Sequence, residues 1–542
     1  MTDPWGDAAR IALGRAADGS VVAAVPGGVR RVVSRAELPA WVAAREAERA
    51  VRWVWASTAE WYPQILAAGV RVDRCLDLRL SHAILANAGA DVTSDVDWTA
   101  PDQAHGETLF EIDRPRRDAL DEVLAELDRQ DRALDALPDR GRMKLLLAAE
   151  SAGALVAAEA RSAGVPWDED HHKRILDEVL GARGPGGVPA HMARLAGEVR
   201  AALEDPLVSL DSPPQLLKSL RRAGILVDST SKWVLREIDH PAIMPLLEYK
   251  RLSRLLAANG WAWLDTWVRG NRFRPVYMPG AVVTGRWGAD GGGALQIPRQ
   301  LRGALRADPG WVIVDADVAQ LEPRVLAAMA RDTRMADAAR VRDLYEGIVA
   351  GGAVATRAEA KVALLGAMYG ATTGESGRLV PRLRRAYPLA MGMVDAAAKT
   401  GEEGGSVRTW LGRTSPALTY EAKRAYQEDP RAARDYGRFT RNFIVQGTAA
   451  EWALAWMADL RLRLARLPAS AAVAPASGPA FARRAHIAFF LHDELIVHAP
   501  ADQAEAAAEA MSESAATAGR LLFGSFPLDF PLDLRIGESA AK

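Results

Sequence analysis

The feature that most constrains this chain is a set of short apolar runs that lead into acids. Residues 311–314 read Trp-Val-Ile-Val and continue into Asp315-Ala-Asp317. Residues 487–491 and 495–498 are two more apolar runs, and His492-Asp493-Glu494 lies between them. Runs this short, rich in β-branched and aromatic residues, predict buried strands. The first is a strand that delivers carboxylates at its end. The second is a strand–turn–strand with acids at the turn. Carboxylates on neighbouring strand ends suit hard divalent cations, which prefer oxygen ligands and keep part of their water. Two Mg²⁺ ions about 3.5–4 Å apart can activate an attacking oxygen and steady a leaving group in phosphoryl transfer. Acids after strands are common, so the pair alone does not decide the matter.

A second pattern adds independent weight. Spacing predicts a helix over 357–369, where Arg357, Lys361, Leu365 and Tyr369 recur every four residues and share one face. Two cations toward the helix N-terminus suit a polyphosphate, and the partial charge of that terminus helps. Leu365 and Tyr369 continue the stripe as an apolar surface on which a base can lie. On spacing alone, a solvated Arg/Lys face above a core Leu and Tyr explains the pattern equally well.

Composition sets the outer limits. A chain of 542 residues predicts roughly three to five domains or one multi-lobed unit. With 49% hydrophobic and 25% charged residues, it is not a disordered, collagen-like or coiled-coil chain. Lys+Arg total 68 against 69 Asp+Glu, so only local clusters of charge can argue for a nucleic-acid partner. The single cysteine, Cys75, excludes an intramolecular disulfide and a cysteine-based zinc site. No run of about 18 apolar residues and no leader-like segment is present, so a cytoplasmic protein without a membrane partner is expected.

Along the chain, residues 1–140 predict a compact α/β region, with β-like runs at 20–25 and 51–56 and a helix at 35–49. Residues 115–163 predict long amphipathic helices. Residues 184–189 form a Gly/Pro loop, and 212–224 a capped helix with Pro213 and Pro214 at its start. Residues 261–267 are aromatic, 269–277 basic, and 288–293 a flexible Gly-rich loop. A helix is expected over 323–335 and a surface insertion over 468–480.

The acidic strands and the cationic helix occur in an order that resembles the bacterial DNA polymerase I family (family A). Asp317-Val-Ala-Gln320-Leu-Glu322-Pro-Arg324 resembles its first polymerase motif. Arg357, Lys361, Tyr369 and Gly370 resemble its second, and Leu491-His492-Asp493-Glu494-Leu495 its third. Arg438, Asn442 and Gln446-Gly447-Thr448-Ala449-Ala450 resemble its Arg/Asn/Gln-Gly-Thr-Ala-Ala helix, and Thr284-Gly285-Arg286 with Leu295-Gln296-Ile297-Pro298 its Thr-Gly-Arg region. Ser212-Pro213, Ser229-Thr230-Ser231 and Leu247-Glu248-Tyr249 resemble its thumb segments. The resemblance runs over about residues 145–542.

What the resemblance implies is an α+β right-hand polymerase with an N-terminal exonuclease-like α/β domain at 1–140. The polymerase would span 141–542, with a thumb at about 165–265, a palm at 266–333 and 405–542, and fingers at 334–404. Asp317 and Asp493 would hold two Mg²⁺ ions, Mn²⁺ being a possible substitute, with Glu494 in a lesser role beside them. Arg357 and Lys361 would contact the incoming triphosphate, Lys361 also serving as acid for the departing pyrophosphate. Leu365, Tyr369 and Gln320 would line the nucleotide site. Glu322 would be the steric gate against a ribose 2′-hydroxyl. Arg286, Gln446 and His492 would touch the minor-groove edge and primer end, and Arg438 and Asn442 would track template and primer. Arg269, Arg272, Arg274, Arg299, Arg302 and Arg306, with Lys250, Arg251 and Arg254, would meet phosphates without reading sequence. Partners would be primer–template DNA and deoxynucleoside triphosphates, the protein a monomer associated with the nucleoid.

The chain departs from the family at several points. Val318-Ala319 stands where the family has Tyr-Ser, and Leu365 where an aromatic ring stacks near the nucleotide. The 298–302 stretch is shorter, leaving Arg299 as substitute for a triphosphate-contacting arginine. Trp287-Gly288-Ala289 replaces a Ser-rich turn, and Tyr345 replaces a histidine. Losing a ring and a cation weakens nucleotide binding by ~1–3 kcal/mol. In the N-terminal region, 66–69 and 77–80 resemble the middle of an exonuclease domain. However, no Asp-x-Glu lies on a first strand, Trp61 falls near a catalytic aspartate position, and no Tyr-x-x-x-Asp follows. A two-metal nuclease needs its carboxylates, so a non-proofreading domain is expected, without a 5′-nuclease. The leading expectation is a template-directed DNA polymerase in repair or lesion bypass. The alternatives are a primer–template binding module with little catalysis and a single-subunit RNA polymerase, against which Glu322 and residues 446–450 argue.

Overall fold

A period-two pattern of burial organises the N-terminal region. Ile11 and Leu13 face one core and Ala12 the other, and Trp53 and Trp55 alternate with Val54 in the same way. The strands are Arg10–Arg15, Val21–Ala24, Arg30–Val33, Arg52–Trp55 and Arg74–Asp77. They form one sheet in which 30–33, 21–24 and 10–15 are antiparallel neighbours and 52–55 and 74–77 add on in parallel. The parallel pairs need crossovers, which the helices Thr58–Ala67 and Leu38–Glu48 supply. This is a computed structural model describing residues 5, 8–49, 51–100, 116–184, 187–370 and 374–541. Residue 115 and residues 185–186, within two of the expected elements, lie outside the described residues.

A second sheet is wholly antiparallel, in the order His486–Leu491, Glu494–Pro500, Trp311–Val318, Leu532–Gly537. The expected strand at 311–314 extends through Val318, because Asp315 and Asp317 pair with Ile496 and Glu494 of the neighbouring strand. The 37-residue helix Pro430–Arg466 packs along this region with Ala504–Phe523 and Arg140–Ala163. Trp452 and Trp456 are fully buried on it. Mixed helix and strand, with a five-stranded mixed sheet, a four-stranded antiparallel sheet and two two-stranded pairs among the described residues, is the expected α+β class.

Three local expectations are corrected. The helix at 323–335 is two helices, Leu321–Met329 and Thr333–Ala338. Arg331 is left-handed (φ 52°), and Asp332 restarts the chain by accepting the Met335 N–H at 3.0 Å. The 468–480 stretch is packed: Ala474 is fully buried, Ala480 and Phe481 join the core of the N-terminal sheet, and Gln503 Nε2 donates to Pro468 O at 2.9 Å. Apolar Ala and Phe positions there outweigh the loop-like Pro and Ser content. The Gly-rich stretch is also fixed. Gly288–Ala289 pairs with Tyr277–Met278, and left-handed Gly291 lies where a Cβ would come within 2.0 Å of the Trp267 ring.

The chain divides into two compact units. The first comprises Met1–Gly164, Val276–Asp290 and Asp308–Gly537 and holds the two larger sheets. The second comprises Val165–Pro275, Gly291–Ala307 and Glu538–Lys542. It is mainly helical, with Glu169–Leu180, Ala190–Ala202, Pro213–Arg222 and Ile243–Asn259. Its core gathers Trp167, His172, Trp263 and Phe273. Burial pushes His172 down to about 4, and its Nδ1 accepts from Trp167 Nε1 at 3.2 Å. Among the described residues no helix is long and apolar enough to cross a membrane.

Candidate active site

The antiparallel register does what sequence spacing alone cannot. It sets Asp317 opposite Glu494, and the Val318 N–H donates to the Asp493 carbonyl at 2.9 Å. His492 turns the chain in the left-handed region (φ 59°), between the two strands. Glu494 is buried in the sheet, and Asp493 is open to solvent at the turn. The Asp493 carboxyl is nevertheless pushed up to about 6. The protein around it disfavours its charge, the Asp317 charge adds to this, and Glu322 and Glu494 contribute further.

That excess of negative charge on oxygen donors is what a hard divalent cation neutralises. Among the described residues no group of three or more His, Cys, Asp or Glu side chains forms a ready-made metal site. A cation here would therefore rest on the two aspartates, with water and substrate oxygens completing its shell.

The predicted helix is present with its expected limits, Arg357–Tyr369. Thr356 caps its start, its hydroxyl accepting the Glu359 N–H at 3.1 Å, and left-handed Gly370 (φ 72°) ends it. Ala360, Ala363, Leu364 and Ala367 are buried, while Arg357 and Lys361 are exposed and Leu365 and Tyr369 half-buried. The stripe therefore lies on the open face. Lys361 forms no ion pair among the described residues. Arg357 does: its Nε and Nη2 both lie 2.7 Å from Asp343 Oδ2, and its guanidinium sits 5.5 Å from the Tyr345 ring centre.

Below the stripe, Tyr369 is tied into a polar cluster. Its hydroxyl donates to Glu322, Glu322 is ion-paired to Arg286, and Gln446 lies beside the same Tyr369 hydroxyl. Burial first, then the Glu322 charge, push the Tyr369 phenol well above its ordinary range. His492 is held below its ordinary value by burial and by nearby Arg286. Arg286, Glu322, Tyr369, Gln446 and His492, scattered through the sequence, are thus mutually in range.

The remaining expected residues divide. Gln320 is left-handed (φ 49°), and its Oε1 accepts the Leu344 N–H at 3.2 Å, so it is committed to backbone. Arg438 is exposed and pairs with Asp435 at 2.9 Å. Asn442 is half-buried, and its Oδ1 has no hydrogen-bond partner among the described residues. Two of the expected phosphate contacts are corrected: Arg272 and Arg302 are buried and cannot present their charge to DNA. Arg251 and Arg306 pair with Glu248 (2.6 Å) and Glu538 (2.7 Å), and Lys250 donates to Thr230 O at 2.6 Å.

The residues that hold this arrangement carried no role in the sequence reading, although Arg324 stands within the first motif. Arg324 is fully buried and donates to the carbonyls of Ala319, Ala339, Asp529 and Arg342. Arg441 joins Ala367 O to Asp395, each at 2.7 Å. Glu150 and Arg413 form a buried pair at 2.5 Å. The only sequence signal for Arg413 is that it follows Leu411-Gly412, an apolar and glycine context that is odd for a surface arginine.

Comparison with known proteins agrees with this geometry. The profile of DNA polymerase family A matches residues 188–541. The thermostable DNA polymerase I of Thermus aquaticus is 25% identical over 423 residues, 70% of this chain and 46% of that protein. That of Thermus filiformis is 26% identical over 331 residues, 55% and 36% respectively. DNA polymerase I of Bacillus subtilis is 23% identical over 438 residues, 72% and 46%. The chain thus spans less than half the length of these relatives. Among solved structures, the POL domain of Pol1 from M. smegmatis, in complex with DNA primer-template and dNTP, aligns with a TM-score of 0.71. That alignment has 17% identity and covers 99% of this chain and 97% of that one, which establishes a shared fold.

Proposed function

Since the chain belongs to DNA polymerase family A, we propose that it is a DNA-directed DNA polymerase adding deoxynucleotides to a primer 3′ end. The observation that carries this reading is the convergence of Asp317 and Asp493 across one sheet, with a raised Asp493 carboxyl. The partners are primer–template DNA and deoxynucleoside triphosphates, and the cofactor is Mg²⁺, with Mn²⁺ able to substitute. The ions, when bound, supply an activated primer oxygen and charge neutralisation on the phosphates.

The chain's own residues do the rest. Asp317 and Asp493 anchor the cations, with Glu494 alongside. Lys361, which has no carboxylate partner among the described residues, meets the triphosphate and can protonate the leaving pyrophosphate oxygen. Arg357 joins it after exchanging Asp343 for phosphate oxygens. Leu365 and Tyr369 bear the base, and Glu322, held by Arg286 and Tyr369, fills the space of a 2′-hydroxyl. Gln446, His492, Arg438 and Asn442 contact the duplex. We place the monomeric protein in the cytoplasm with the nucleoid, in gap repair or lesion bypass, without proofreading.

Primer extension on a gapped template with Mg²⁺ tests this. Full-length product that Asp317→Ala abolishes supports the proposal, and no incorporation at millimolar nucleotide refutes it. The Asp343–Arg357 pair favours a second reading, a primer–template binding module with weak catalysis. Tight binding without extension in either Mg²⁺ or Mn²⁺ would select it.

A further inference from the structure

The turn that carries Arg286 is built on glycine-only contacts. The Gly285 N–H donates to Val282 O at 2.7 Å, and Gly285 is left-handed (φ 85°). A Cβ at Gly285 would lie 2.6 Å from Arg413 Nε and 2.7 Å from its Cζ, so the guanidinium lies directly against the turn backbone. On either side of it, a Cβ at Gly447 would come within 3.2 Å of Thr284 O, and one at Gly153 within 3.4 Å of the Trp287 ring.

Arg413 is itself immobilised. Its Nη2 pairs with Glu150 Oε2 at 2.5 Å, and both side chains are less than one-tenth exposed. Its carbonyl accepts the Thr409 N–H at 2.9 Å. Buried Glu451, on the 430–466 helix, accepts the Thr409 hydroxyl and, at 2.9 Å, the Leu411 N–H. The loop bearing Arg413 is thereby fastened to both long helices. A buried ion pair repays little of its desolvation as stability. What it offers here is a flat, fixed platform, which the flexible stem and point charge of a lysine cannot reproduce.

We propose that Arg413, clamped by Glu150, is a positioning residue for substrate selection. It fixes the 282–286 turn so that Arg286 holds Glu322 in place, and it thereby sets the preference for deoxy- over ribonucleotides. This rests on the reading of Glu322 as the gate.

The test measures kcat/KM for a deoxynucleotide and its ribonucleotide in the wild type, Arg413→Lys, Glu150→Gln, Glu322→Ala and the Arg413→Lys/Glu322→Ala pair. A merely structural role lowers both substrates alike and leaves their ratio unmoved. The expected result is a loss of discrimination of about tenfold in Arg413→Lys, a smaller loss in Glu150→Gln, and no further loss in the pair beyond Glu322→Ala alone. A ratio unchanged in both Arg413→Lys and Glu150→Gln, while Glu322→Ala shifts it, overturns the inference and leaves the gate standing. A ratio unmoved by Glu322→Ala overturns the gate and this inference with it. Should Arg413→Lys not fold, Glu150→Gln decides by the same comparison.

Discussion

The two larger sheets of the first unit both place acids at strand ends, yet they use them in opposite ways. In the N-terminal sheet the carboxylates are spent on structure. Asp77 ends its strand, and its oxygens accept the N–H groups of Thr58 (2.7 Å) and Leu80 (3.0 Å). Glu159 packs behind that sheet among Arg461, Arg71 and Tyr62. Burial alone would raise Glu159, but the two arginines hold it down to about 2. In the antiparallel sheet, Asp493 is pushed up to about 6, first by its desolvated surroundings and then by the charge of Asp317. A carboxylate answered by cations and amides is holding the fold together. One left against its own sign is where the proposed function places a cation.

The largest expected effect separates the two sheets by activity. Asp317→Asn or Asp493→Asn should lower primer extension by about 10³-fold or more. Asp77→Asn should leave the rate of folded protein within about twofold, since it touches no substrate. An Asp77 variant as defective as Asp317→Asn would break the comparison.

The next effect is on stability, and it falls on the other sheet. Glu159→Ala leaves Arg461 buried without its partner and should cost about 3–5 kcal/mol in urea unfolding. Asp77→Ala removes a helix cap and should cost about 1–2 kcal/mol. Asp493→Asn should raise stability at neutral pH, because it removes a charge that its desolvated surroundings and Asp317 disfavour.

The pH dependences should run in opposite directions. Glu159 has a lowered pKa, so its stabilisation is present above its unfolded value of 4.5 and is lost as pH falls toward about 2. Asp493 has a raised pKa, so stability is greatest below its unfolded value of 3.8 and declines as pH rises through about 6. Urea midpoints of the wild type and Asp493→Asn should therefore converge near pH 4 and separate above pH 6. A gap that instead widens on acidification would contradict the assignment.

How much of this was legible in the sequence follows from range. The helix 357–369 and its four-residue stripe are local facts, and spacing revealed them, whereas its Thr356 cap went unread. The strands at 311 and 487 were legible because apolar runs mark buried strands. Their pairing, which brings Asp317 to Glu494, became legible only through resemblance to a family. Partners such as Arg461 and Glu159, or Arg413 and Glu150, are joined by packing across hundreds of residues, and nothing in either neighbourhood announces the other. Arg272 and Arg302 show the converse failure. Their basic stretch looked like a phosphate-binding surface, yet tertiary packing buried both. The 468–480 stretch misled in the same way, since composition reports solvent preference and not where Phe481 finds a core.

On the proposed function, Asp317 and Asp493 share one electrostatic site. The most direct measurement is the Asp493 carboxyl titration by carbon NMR in the wild type and in Asp317→Asn, each with and without Mg²⁺. The midpoint should lie near 6 in the metal-free wild type and fall when Asp317 is neutralised or Mg²⁺ is added. An ordinary aspartate midpoint that neither the substitution nor the cation moves would contradict it.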